Sequence, residues 1–136
     1  MSINRGNPKA LFNSTQYGFS QAVSAEGTRI VSISGQVAWD AGQTLIGAGD
    51  LYAETSKSLE NLKIALESVN ALLADVISLR IYIVDYKLEE SESISRALKD
   101  FFPEGKEPTA TWIGVNCLAN PDFHIEIEAM AVVSEA

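Results

Sequence analysis

EPTATWIGVNCLANPDFHIEIEAMAVV, residues Glu107–Val133, is where the fold becomes readable. It contains two adjacent strands, Thr109–Val115 and Phe123–Val133, joined by a turn at Ala119-Asn120-Pro121-Asp122. The second strand alternates with the period of a pleated ribbon. Phe123, Ile125, Ile127, Ala129 and Ala131 point one way, and His124, Glu126, Glu128 and Met130 point the other. The first set is a core face. The second carries two carboxylates, and the rest of the chain has to supply what they look at.

Upstream, Val76–Val84 is the clearest strand. Ile77, Leu79, Ile81 and Ile83 form its apolar face, while Arg80 and Tyr82 lie on a mixed one. Between it and the quoted stretch, Glu89–Phe102 has helical spacing, with Ile94, Leu98, Phe101 and Phe102 inward and Pro103 with Gly105 as the stop. A longer helix starts at Asp50, a residue suited to an N-cap. Its stripe is Thr55, Leu59, Leu62, Leu66, Val69 and Leu73, with Glu54, Ser58 and Asn61 among the remaining positions. Tyr17–Val23 and Arg29–Val37 are short strand candidates, and Gly35 within the second marks a bulge or a close backbone approach. Ala38–Gly49 is a loop, and residues 1–15 read as an irregular arm.

These elements give one domain over residues 1–136 with the order ββαβαββ. That is an α+β fold in which two helices cover one face of a single mixed sheet. The opposite face then holds Arg80, Tyr82, Glu126, Glu128 and Met130. It is too polar for a dry core and too apolar in its surroundings for free water. A second copy of the same sheet is the expected cover, which makes the protein a homo-oligomer with small-molecule clefts where sheet edges of different subunits meet.

Composition narrows the function further. A net charge of -8 argues against nucleic acid and anionic membrane surfaces as partners, since such contacts rest on Lys and Arg. One cysteine, Cys117, and one histidine, His124, exclude an internal disulfide and a Cys- or His-rich metal site. The opening residues lack the apolar core of a signal peptide, and a cytoplasmic location is the expectation. His124 reads as an exposed strand-end residue, and Cys117 as an inert thiol.

The chain resembles the Rid family, also known as YjgF-like or reactive-intermediate deaminase proteins. The resemblance is carried by Phe19-Ser20-Gln21-Ala22-Val23, Ser34-Gly35-Gln36-Val37 and Ser58-Leu59-Glu60-Asn61-Leu62. Further on come Arg80-Ile81-Tyr82-Ile83-Val84-Asp85 and Ile125-Glu126-Ile127-Glu128-Ala129. It implies a chorismate-mutase-like fold, a homotrimer whose sheets form a central barrel, and three intersubunit clefts. It also implies hydrolysis of imine or enamine metabolites without metal or cofactor.

In the best-known branch an arginine two residues after a proline grips the substrate carboxylate as a bidentate fork. Counting from Pro108, that position is Ala110 here, so the resemblance is to an arginine-less member. Trp112 replaces a short residue, and Phe19 stands where tyrosine is common. Gly35 matches the pocket glycine, and Glu126 matches the glutamate that positions water. The implied cleft is thus Phe19, Gly35, Ala110 and Trp112 with Glu126. Trp112 either stacks on a planar ligand or fills the arginine's space. Glu126 either positions water or pairs across a subunit seam, and Glu128 reads as a structural partner of Arg80. Three functions follow: a deaminase-like hydrolase, a non-catalytic ligand-binding trimer, and, least favoured, an endoribonuclease or translation inhibitor.

Overall fold

The computed structural model describes residues 3–134. Among them the elements are β1 (Ile3–Gly6), β2 (Ala22–Ala25), β3 (Arg29–Gln36), α1 (Leu51–Ser68), β4 (Val76–Val84), α2 (Ser91–Phe101), β5 (Thr109–Val115) and β6 (Ile125–Val133). Strands β3, β6, β4 and β5 lie side by side in that order; β4 and β5 run parallel, and the other two pairings are antiparallel. Two helices on a mixed sheet is the α+β arrangement the element pattern implies.

The two strands of Glu107–Val133 do not pair with each other. β4 runs between them, and the segment 116–124 crosses its end. Register fixes what each face carries, because residues paired across strands share a side. Trp112, Ile81 and Ile127 form one row, and Ala110, Leu79 and Ala129 the next. Both rows face the helices. Glu126 and Tyr82 lie opposite each other, as do Glu128 and Arg80, on the uncovered side.

The core follows from that division. Leu59, Leu62 and Leu66 of α1 and Ile94 and Leu98 of α2 close over Ile81, Ile83, Ile125 and Ile127, all fully buried. Asp50 caps α1 as expected, its carboxylate accepting the Ala53 N–H at 3.1 Å. The helix stops at Ser68, short of the expected end of its stripe. Asn70 turns the chain at φ 58°, and Val69 stays exposed. Glu54 and Ser58, expected on the polar side, are buried instead. Being one turn apart, they share a helix edge that borders the stripe. On β4 a bulge between Val76 and Ser78 turns Val76 inward and leaves Ile77 only half-buried, the reverse of the alternation read from sequence.

The N-terminal segment also departs from expectation. Within the arm read as irregular, Ile3–Gly6 forms β1 and pairs antiparallel with β2 as a separate two-stranded sheet. Its polar INRG sequence has no apolar alternation, so the pairing rests on backbone hydrogen bonds and on Arg5. That guanidinium donates to the Glu107 and Lys106 carbonyls at 3.0 and 3.1 Å. The strand expected over Tyr17–Val23 begins only at Ala22, because Ser14–Tyr17 makes a 3-10 turn. Loop Ala38–Gly49 is pinned: Asp40 accepts the Gly42 and Thr44 N–H groups, and Asn61 donates to the Val37 and Trp39 carbonyls.

Candidate functional site

The expected site residues fall into two groups on opposite sides of the four-stranded sheet. Phe19, Ala110 and Trp112 come together in a groove of ≈ 480 Å³, which Phe12, Tyr17 and Leu88 also line. Gly35 and Glu126 meet each other on the uncovered face. Among the described residues the two groups do not share a cavity.

Local chemistry builds the groove. Gly18 closes the 3-10 turn at φ 96°, and a Cβ there would lie 2.8 Å from that of Leu98. Only glycine satisfies both demands. The next residues are tied to the start of β5: the Ser20 N–H donates to the Pro108 carbonyl at 2.8 Å, and its hydroxyl donates to the Glu107 carbonyl at 2.7 Å. That attachment sets Phe19 beside Ala110. Phe12 then packs on both neighbours, 6.3 Å from Phe19 at 69° and 6.4 Å from Tyr17 at 54°. On the far wall Trp112 meets Tyr86 edge-on at 6.5 Å, and its buried Nε1–H has no acceptor among the described residues.

The second group depends on a bulge in β3 between Ile33 and Gln36, the first of the two alternatives, bulge or close backbone approach, that Gly35 marks in the sequence. A Cβ on Gly35 would sit 2.6 Å from Glu126 Cδ and 2.7 Å from its Cγ. The bare backbone therefore lets the Glu126 side chain lie across β3. Among the described residues nothing hydrogen-bonds to this carboxylate or pairs with it. Glu128, one step along the same face, differs. It accepts the Tyr82 hydroxyl at 2.6 Å, and this bond is the main cause that raises the tyrosine pKa above its ordinary value. Arg80 lies opposite Glu128 in register and lowers the Tyr82 pKa in turn. Arg80 and Glu128 line a shallow hollow of ≈ 210 Å³ with Ser32, Ser78 and Met130.

A third cluster escaped the sequence reading. His124 is half-buried rather than exposed, with Nε2 2.8 Å from Glu90 Oε2. Glu54 lies near it, 3% exposed, and burial is the largest cause holding its carboxyl above the usual carboxylate range. The charge and backbone N–H of His124, together with the Gly49 N–H, pull the other way. Cys117 is exposed as a free thiol. No group of three or more His, Cys, Asp or Glu among the described residues could hold a metal ion. No described helix is long and apolar enough to cross a membrane.

Phe12, Tyr17, Leu88, Ser91 and Thr111 are the lining residues that sequence reasoning missed. The available signal was a pair of aromatics, Phe12 and Tyr17, in a segment otherwise read as a polar arm.

Fold and site together define a mixed-sheet α+β protein of the YjgF/Rid type. Comparison with known proteins agrees: residues 10–133 match the family model Endoribonuclease L-PSP, and the chain belongs to that family. It is 33% identical to a RutC family protein of Pyrococcus horikoshii and 30% identical to one of Pyrococcus abyssi. Each alignment covers 83% of this chain, with 85% and 84% of the respective relative. A crystal structure of the conserved Rid-family protein YyfB from Yersinia pestis superposes with a TM-score of 0.91 at 40% identity. The match covers 98% of this chain and 100% of that one.

Proposed function

We propose that this protein is a homotrimeric, cofactor-free hydrolase of imine- or enamine-type metabolites, with its site in a cleft between subunits. The observation that carries the proposal is the Glu126 carboxylate, held over Gly35 with no partner of its own among the described residues. A half-buried carboxylate that is neither paired nor capped is available to orient a water. In this reading Glu126 accepts a proton from that water as the oxygen attacks the imine carbon. The nitrogen then takes up protons and leaves as ammonia when the tetrahedral adduct collapses to the carbonyl. The aromatic groove lies on the other side of the sheet, so it meets a Glu126 only when a second copy supplies one. Self-association and catalysis are thereby linked. Ala110 offers no charge, so an anionic 2-imino acid has no clamp in the groove.

The test is ammonia release by the purified trimer from imines made in situ by an amino-acid oxidase, and from uncharged imines. Glu126→Gln should lower the rate by roughly 10²–10⁴-fold, the usual worth of a general base. Rates that never rise above buffer would leave the second reading, a ligand-binding trimer without turnover, which Ala110 favours because it removes the anchor. An RNA-directed activity is the weakest reading for a chain of net charge -8.

A further inference from the structure

We infer that the groove beside Ala110 selects an uncharged ligand with a planar aromatic ring and discriminates against carboxylates. The inference rests on the reading of this groove as the ligand cleft and goes on to name its substrate class. Phe12, Tyr17, Phe19 and Trp112 supply its walls, and the polar side chains beside them include the hydroxyls of Ser91 and Thr111. Rings set at 54° and 69° to one another present edges and faces together, the arrangement that packs on another ring by offset or edge-to-face contact. A groove of ≈ 480 Å³ is ample for one such ring with a small substituent.

Within one copy of the chain, charge disfavours an anion. No Lys, Arg or His among the described residues lines the groove. Arg5 is engaged on the Lys106 and Glu107 carbonyls, and Lys99 on the Gln16 carbonyl at 3.4 Å. Lys87 lines a separate hollow with Asp85 and Glu90. Ser91 opens α2, whose N-terminus would by itself attract an anion. Glu89 and Glu90 just before it and Glu92 in its first turn place negative charge there instead. A carboxylate entering the groove would shed its water and find repulsion. A neutral ring loses little and covers apolar surface.

The probes are two matched pairs, benzamide with benzoate and phenylacetamide with phenylacetate, titrated calorimetrically into the full-length protein. Each amide should bind about tenfold or more tightly than its carboxylate, a gap of about 1.4 kcal/mol. Ala110→Arg should narrow or reverse that gap by placing a guanidinium in the groove. Phe19→Leu, which keeps the wall apolar, should weaken both amides about fivefold or more while the melting temperature holds. Carboxylates that match the amides on the unmodified protein would overturn the inference and leave the cleft reading standing. Tighter binding of benzyltrimethylammonium than of phenylacetamide would overturn it in favour of a cationic guest. If no probe of any charge binds, the cleft reading falls as well.

Discussion

The two faces of the four-stranded sheet are made from alternate residues of the same strands, yet they solve opposite problems. On the helix side, Leu79, Ile81, Ile83, Ile125 and Ile127 meet leucines of α1 and α2, and almost nothing there is polar. On the other side, Arg80 is exposed and Tyr82, Glu126 and Glu128 are half-buried. A hydrogen bond joins Tyr82 to Glu128, and none reaches Glu126 from the described residues. The covered face is satisfied by volume and hydrophobicity, which many sequences can supply. The open face is satisfied only by particular polar partners, and Glu126 finds none among the described residues. Stability should therefore concentrate on the first face and specificity on the second.

Neighbouring residues offer the sharpest way to break that comparison. Ile81 is fully buried and Arg80 is exposed, one on each face of β4. Ile81→Ala should cost about 2–5 kcal/mol, the range for deleting a large aliphatic side chain from a packed core. Arg80→Ala should stay within about 0.5 kcal/mol for the isolated fold. Urea denaturation of both variants decides it. Similar midpoints would mean that the open face carries as much of the stability as the core.

Gly35 is the place where the two problems touch, since its missing side chain is what lets Glu126 lie where it does. Gly35→Ala should destabilise by about 1–3 kcal/mol, the usual cost of forcing atoms into occupied space. Glu126→Ala removes the obstacle, so the double variant should recover most of the loss. A strongly non-additive cycle supports the contact, whereas additive effects would place the cost of the alanine in the β3 bulge itself.

The hydrogen bond from Tyr82 to Glu128 sets the next scale down. Tyr82→Phe should cost about 0.5–1.5 kcal/mol, since one bond is lost and the phenyl ring keeps its packing. The same variant should leave Glu126-dependent turnover in place, which separates the structural carboxylate from the proposed catalytic one. Equal loss of activity in the Tyr82→Phe and Glu126→Gln variants would merge the two roles.

The sequence disclosed one face far better than the other for a physical reason. Burial imposes periodicity, so Ile125, Ile127, Leu59 and Leu62 were legible from spacing alone. The bulge at Gly35 was legible too, because a glycine weakens a regular strand and is tolerated where the backbone bends or is closely approached. The β1 pairing was not, since INRG is held by backbone bonds and by Arg5 reaching a distant loop. The groove was not legible from alternation: Phe19, Ala110 and Trp112 were named only through the family resemblance, and Phe12 and Tyr17 reach it through a turn that alternation does not register. Glu54 was misplaced because helical spacing identifies a stripe but not how far neighbouring loops fold over its edge.

Glu54 supplies the smallest and most discriminating prediction, as a polar intruder in the buried half of the molecule. It sits in the first turns of α1 with Oε2 unpartnered, near His124 and Gly49. Burial raises its pKa in the folded chain above the unfolded value, so the fold holds this proton more tightly than the open chain does. Stability from that source is fully present below the unfolded carboxylate pKa and is lost as pH rises through the raised one. Glu54→Gln keeps the shape and an acceptor oxygen but carries no charge at any pH. The variant should melt close to the parent in acid and above it at pH 8, with a gap that widens across the interval between the two pKa values. The gap should stay below the cost of the Tyr82 variant, because His124 and the two backbone N–H groups already offset part of the burial. A gap that is flat with pH would mean that Glu54 ionises as freely in the fold as in water. A parent more stable than the variant at pH 8 would mean that the charge is wanted there, held by the backbone N–H groups of His124 and Gly49.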